Sequence, residues 1–352
     1  MTNSDTARSA MAPAAQHAPP GRYPAPAQHA PPGRRAVVKG LALRLIAPVL
    51  VCLGLGVTYL AAFQHPQPHR LEVAVVGTTP EAKALAEAVR SKAGDSLDVT
   101  TVATRQAATE QLMDRHLVGA YLPDLAGPEL LVAKAGSSAT ANATEAVFRA
   151  LAGHQGTPLK VTDVAPLTKE DPSGGGLFFL LIALTVGSQV AVLVLAPAAG
   201  VLGMRVRAAL GLAASFAVSA VGLLLAGPVF EVVDHSCPAV GGLCLLYSAG
   251  VVAVGLGLQT FLKHFTPLAL MGLFVMLNLT SAGGLMGPEL QNGFFRWLHS
   301  CWNGAGFVEG GRGLLYFGGA GLGGHLLTLG LWLAAGVVLM LLAARSERRR
   351  QR

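Results

Sequence analysis

Charge is scarce in this sequence. Lys, Arg, Asp and Glu make up 13% of 352 residues and aromatic residues 6%, where a soluble domain carries about 25% charged residues. A purely soluble globular enzyme is excluded. Catalytic and nucleotide-binding motifs are missing too: there is no Gly-x-x-x-x-Gly-Lys-[Ser/Thr], no Gly-x-Ser-x-Gly and no His-Glu-x-x-His. The chain therefore has no phosphate-cradling loop of its own, and neither a catalytic residue, a cofactor nor a metal site is expected. Gly174-Gly175-Gly176 lacks the strand-to-helix setting of a phosphate loop and reads as a joint. Cysteine is limited to four residues, Cys52, Cys237, Cys244 and Cys301. No Asp, Glu, Lys or Arg stands near the centre of an apolar block, which argues against proton- or ion-coupled carriers, whose pathways use such groups.

Apolar residues are abundant, at 52%, and the mean hydropathy is +0.51. They collect in blocks long enough to cross a bilayer, where about 20 residues are needed. The first runs over 41–63, and five more cover 177–199, 208–230, 239–262, 266–287 and 322–344. Arg35, Lys39 and Arg44 hold the first block's amino end inside. Its length exceeds the core of a cleaved signal peptide, so it reads as an uncleaved anchor. The connections agree with that orientation. Arg205 and Arg207 lie between the second and third blocks, Lys263 between the fourth and fifth, and a basic tail at 345–352. Glu231 and Asp234 occupy the third-to-fourth connection without Lys or Arg. The rule that basic residues stay cytoplasmic then gives six spans with both termini inside. It also accounts for the net charge of +7 without nucleic acid.

Residues 1–40 are Pro/Ala-rich, and Ala15–Arg22 recurs unchanged as Ala27–Arg34; such a segment is expected to be disordered, with His17 and His29 no more than linker residues. Residues 64–175 are polar enough to fold outside the membrane. Apolar runs at 71–77, 97–102, 118–122, 130–133 and 159–164 alternate with helical stretches at 80–92, 105–116 and 138–152. The expected fold is a six-span α-helical membrane protein with a small α/β domain inserted after the first span. The five-helix remainder, 176–344, includes an external stretch, 288–319. There Phe294, Phe295 and Trp297 alternate with polar residues, which suits an amphipathic segment at the interface, with a packed re-entrant hairpin as the second choice. Arg312 is expected at lipid headgroups or paired with Glu289 or Glu309. Cys237 and Cys301 both fall in external loops, where they form a disulfide or stay as two free thiols. Ala249, Ala253 and Gly257 recur every four residues, a face suited to close helix contact.

Three stretches carry a family resemblance. They are Val164-Ala-Pro-Leu-Thr-Lys-Glu-Asp171-Pro172, Ser281-Ala-Gly-Gly-Leu-Met-Gly-Pro288-Glu289-Leu290 with Phe294-Phe295, and Glu309-Gly-Gly-Arg312-Gly-Leu-Leu-Tyr316-Phe-Gly-Gly319. With the span pattern, they resemble permeases of the type-2 ABC exporter class, in the phage-infection-protein (Pip/YhgE-like) branch. The resemblance implies an export subunit of the plasma membrane, dimeric and working with a separate ATP-binding subunit. It makes Pro288, Glu289, Phe294, Phe295, Trp297 and Arg312 candidates for an external gate or interface, and Arg205 and Arg207 for the cytoplasmic coupling connection. That connection is short for a docking helix, so the rival expectation is a non-transporting envelope protein whose outer domain binds a partner. The orientation is directly testable. In a Cys-free background, Ser137→Cys and Gly293→Cys should react with an impermeant thiol reagent in intact cells, and Ser346→Cys should not. Labelling at 346 with protection at 137 would reverse the topology.

Overall fold

A computed structural model describes residues 34–124, 127–154 and 156–351. The repeat, His17 and His29 lie outside the described residues. The chain divides into two compact units, Met1–Ile46 and Ala47–Arg352. In the first, helix α1 (Arg34–Phe63) has already begun, so the tail expected to run to residue 40 is helical over its last part.

The α/β domain follows the apolar alternation closely. Its elements are β1 (Leu71–Val76), α2 (Pro80–Ala93), β2 (Leu97–Val102), α3 (Arg105–Met113), β3 (Gly119–Leu122), β4 (Glu129–Val132), α4 (Ser138–His154) and β5 (Lys160–Asp163). The strands form one sheet in the order β2-β1-β3-β4-β5, with β3–β4 antiparallel and the other pairs parallel. Helices cover both faces, so β1 is an apolar run rather than an alternating one. Val73 and Val75 pack with Ala82, Ala86 and Phe148, while Ala74 packs with Ala108 and Leu112. Thr79 and Thr104 cap α2 and α3, accepting hydrogen bonds from Ala82 N and Ala107 N. The domain does not close its core alone. Leu290 is buried within it, and Phe317 packs with Ala135 and Ala165, both supplied by the stretch after the later apolar helices.

Those helices are α5 (Gly176–Leu195), α6 (Met204–Leu224), α7 (Cys237–Leu262), α8 (Thr266–Met271), α9 (Asn278–Ser281), α10 (Gly293–Cys301), α11 (Asn303–Tyr316) and α12 (Leu322–Gln351). Among the described residues, five helical stretches are long and apolar enough to cross a membrane: Leu45–Phe63, Gly176–Gly200, Met204–Val229, Cys237–Ser281 and Leu322–Arg349. The fourth has 45 residues, about 68 Å if straight, roughly twice the hydrocarbon thickness. It is not straight. Lys263 takes φ 49° and ψ −114° at the end of α7. Beyond it, Asn278 Nδ2 donates to Tyr247 OH at 2.8 Å across a 31-residue separation. The stretch is thus a hairpin of a long arm, Cys237–Leu262, and a shorter one, Thr266–Ser281, closed at Lys263–Phe265. Its second arm ends at Ser281, short of the expected 287, because Gly283 turns the chain with φ 75°.

Within the bundle α7 is the central helix. The most apolar 18-residue window of its stretch is 67% buried, against 6% for that of Leu45–Phe63 and 17% for that of Leu322–Arg349. The α7–α12 contact depends on missing side chains. A Cβ on Gly257 would come within 2.5 Å of Leu339 Cβ, and one on Gly336 within 2.6 Å of Ala253 Cβ. Backbones approach closely where residues are small, and van der Waals contact then holds helices together in lipid. Gly257→Leu should therefore lower stability by about 1–3 kcal/mol, read as a lower midpoint of thermal unfolding in detergent. An unchanged midpoint would mean that α12 can move away freely.

A buried ionic cluster beneath the α/β domain

The stretch after α9 brings the two parts together. Pro288–Leu290 forms a 3-10 turn against the domain, where His69 N donates to Glu289 O at 2.9 Å and Gln67 N to Leu290 O at 3.2 Å. Asn292 then caps α10, its Oδ1 accepting from Phe294 N and Phe295 N. Along α10, Phe295 and Leu298 are buried against Ala62, while Phe294 and Trp297 are exposed. At the far end of α10, Trp302 Nε1 donates to Leu273 O at 3.0 Å, and the chain reverses. Helix α11 returns to the domain, with Gly304, Gly306, Gly310 and Gly311 buried along it. These glycines admit Asn278, Leu329, Leu243 and Leu177 against the backbone. The stretch 288–319 is therefore folded into two helices, α10 and α11, that run in opposite directions and pack against the other helices.

A polar string runs through the packed helices at the base of this hairpin. Thr185 Oγ1 and Tyr247 OH lie 2.6 Å apart, Asn278 bridges from Tyr247, and Gly304 N donates to Asn278 Oδ1 at 2.7 Å. The open amino end of α11 is thereby given an acceptor inside the protein.

Higher on α11, Glu309 is 3% exposed and Arg312 4%. Glu309 pairs with Arg115, which comes from the loop after α3, and with Arg312 at 2.9 Å. Arg312 also donates to the carbonyls of Gly283 at 2.9 Å and Gly284 at 3.1 Å. Its expected seat at lipid headgroups is excluded by that burial, and of the two acids proposed for it, Glu309 is the partner. The Arg115 guanidinium also lies 5.2 Å from the centre of the Phe317 ring. Burial alone would raise the Glu309 carboxyl, but the charge of Arg115, reinforced by Arg312, overcomes it and holds the group at about 2. Reciprocally, Glu309 raises the pKa of Arg115.

Beside this cluster is a cavity of about 240 Å³, lined by Arg115, Ser137, Thr140, Glu289, His299, Glu309 and His325 among others. Glu289 is half-buried and accepts from Thr140 Oγ1 at 3.3 Å. No basic side chain pairs with it among the described residues, and burial, aided by the Glu309 charge, raises its pKa. His299 Nδ1 donates to Ser281 O at 2.8 Å, leaving its other ring nitrogen for the cavity. Pro288 lines the cavity as well, whereas Phe294, Phe295 and Trp297 do not. The arrangement offers hydroxyl, imidazole and carboxyl groups to a small polar molecule. Among the described residues, no three His, Cys or acidic side chains stand close enough to hold a metal ion.

Of the two alternatives for the cysteines the unpaired one holds, and one expectation is corrected. Cys237 and Cys301 are free thiols. Cys237 sits at the start of α7 and donates to Val233 O, while α10 carries Cys301 nine residues inward, to the hairpin base. Arg207 does not present a docking surface: it is fully buried and paired with Glu347 of α12, which also accepts from Thr260 Oγ1 at 2.8 Å. Arg205 remains exposed. The sequence reading missed Arg115, Thr140 and His299 as cavity residues. A usable signal was the Glu309–Arg312 pair, i to i+3, set in a run otherwise made of glycine and apolar residues.

Comparison with protein-family models, curated proteins and solved structures finds no match to this chain. Stability should report the ionic cluster directly. Glu309 has its usual pKa of 4.5 when unfolded and about 2 when folded, so its contribution is present above 4.5 and is lost as pH falls toward 2. Glu289 works in the opposite sense, its raised pKa favouring the folded state at low pH. Glu309→Gln should cost about 3–5 kcal/mol at neutral pH by leaving two guanidinium groups without their acid. It should also flatten the stability profile between pH 4.5 and 2. A wild-type acid limb retained in this variant would show that Glu309 does not carry it.

Proposed function

We propose that this chain is a permease-like subunit of a plasma-membrane export system, with six crossings, both termini inside and residues 64–175 outside. Helix α11 is the observation that supports this reading. It is the returning arm of the α10–α11 hairpin, which enters and leaves the helical bundle from the domain side, and it is buried along almost its whole length and carries an ionic pair. A protein that only anchors an outer domain has no need of a re-entrant helix. Ionisable groups and broken helices within a bundle usually mark a substrate path. The 45-residue hairpin Cys237–Ser281 supplies two crossings, which brings five apolar stretches to six spans. The sequence motifs add the resemblance to type-2 ABC exporters, with a dimeric permease and a separate ATP-binding subunit. In this reading the cavity around Glu289 and His299 is an outer vestibule, and Arg205 is the available contact on the cytoplasmic side.

A second reading, a non-transporting envelope protein whose outer domain binds a partner, draws on a different observation. The α5–α6 connection is the short 3-10 turn Ala196–Gly200 followed by three residues, and Arg207 is turned inward to Glu347. Such a turn offers an ATPase little to hold. Purification from native membranes in mild detergent separates the readings. The permease should bring down a nucleotide-binding subunit, and Arg205→Glu should reduce its recovery. Absence of any such subunit, with efflux unaffected by ATP depletion, would leave the envelope reading.

A further inference from the structure

A second concavity lies on the lipid side of the hairpin. It has a volume of about 330 Å³ and is lined by Ser300, Cys301, Thr328, Leu331, Trp332 and Ala335, from the end of α10 and the middle of α12. Its polar atoms are turned to the backbone. Ser300 Oγ donates to Trp297 O at 2.7 Å, Thr328 Oγ1 to Gly324 O at 3.1 Å, and Trp332 Nε1 to Cys301 O at 2.9 Å. What the groove presents is therefore apolar, and Trp297, Leu327 and Leu331 beside it are more than 60% exposed. No other described element covers it.

Arg296 stands one turn before Ser300 on the same stripe of α10 and is exposed. No acidic side chain pairs with it among the described residues. Its Nη2 lies 3.9 Å from the position a Cβ would take on Gly293, so the side chain runs back toward the start of α10. That start is level with the end of the first apolar stretch, since Asn292 Nδ2 donates to Ala61 O at 3.1 Å. A cation thus sits at the height where Leu45–Phe63 ends, directly above an apolar groove.

We propose that the groove between α10 and α12 binds an acidic phospholipid, one acyl chain lying along Trp332 and the phosphate resting on Arg296. The charge of Arg296 is complementary to a phosphodiester, and its long aliphatic stem bridges the apolar groove and the polar surface. Such a lipid would brace α10 against α12 and thereby the base of the hairpin. The inference rests on the chain residing in a bilayer, not on export.

All three tryptophans of the sequence, Trp297, Trp302 and Trp332, lie at or beside this groove, so their fluorescence reports its occupant. The full chain is placed in phosphatidylcholine nanodiscs containing a fixed fraction of chain-brominated phosphatidylglycerol or chain-brominated phosphatidylcholine. A single interfacial cation contributes roughly 1 kcal/mol toward an acidic lipid, so the brominated phosphatidylglycerol should compete for the quenching site about fivefold better. Arg296→Gln should abolish that preference while leaving the thermal midpoint unchanged. Ala335→Phe, which fills the groove, should weaken quenching by the acidic lipid with Arg296 intact. Equal quenching by both lipids in the wild type, or a fivefold preference surviving in Arg296→Gln, would overturn the proposal. Weak quenching by both, together with a disulfide-linked dimer through Cys301, would assign the groove to a second copy instead. Complete absence of quenching by either lipid would refute residence in the bilayer, and this inference with it.

Discussion

The structure depends on one carboxylate held between two guanidinium groups. Glu309 is buried on α11, Arg312 is one turn further along, and Arg115 arrives from the α/β domain. Removing three charges from water is costly, and attraction compensates only where geometry is good and the remaining donors are satisfied. Here Arg312 spends its other N–H groups on the Gly283 and Gly284 carbonyls, and Arg115 covers the Phe317 ring. The cluster therefore joins three separate things: the domain, the hairpin and the turn that ends α9. None of the three could shift without leaving a buried charge unpaired.

That constraint explains why the domain and the apolar helices share a core. With Arg115 fixed, the end of the sheet at which β1 and β3 begin lies against Glu289, Leu290 and Glu309. Leu290 and Phe317 then fill gaps in the domain that its own residues leave open. Deeper in, the hairpin is held differently. The Thr185–Tyr247–Asn278–Gly304 string uses neutral groups, and each is satisfied by another helix. Ionic pairing holds the hairpin near the domain and neutral hydrogen bonds hold it at its base, consistent with a lower dielectric at the base.

Much of this was legible in the sequence, and the parts that were not have a common cause. Strands and helices of the α/β domain agree with their apolar patterns to within a few residues, because both the pattern and the core are local properties. The apolar helices were equally plain, and the small stripe at Ala253 and Gly257 does meet α12. The hairpin was harder. Phe294, Phe295 and Trp297 look alike in sequence, yet only Phe295 is buried, since the α10 face that meets Ala62 is set by a helix more than two hundred residues earlier. Pairing of Arg312 with Glu309 was among the alternatives the sequence offered, but nothing local announces Arg115 as the second partner of that acid. Arg207 was misjudged for the same reason: its acid, Glu347, is 140 residues away.

The two ends of the bundle are held by different groups. At the end away from the domain, Arg207, Glu347 and Thr260 tie α6, α12 and α7 together, and the turns at Ala196–Gly203 and Lys263–Phe265 are short. Short turns and a buried ion pair leave little freedom there. At the domain end, Glu289 is half-buried beside an open cavity, accepts from Thr140 Oγ1 and forms no ion pair among the described residues, and His299 faces the same space. Adding a proton or a cation at Glu289 changes the charge balance next to Glu309. The carboxyl whose charge can change therefore stands next to the ionic cluster that holds domain and hairpin together.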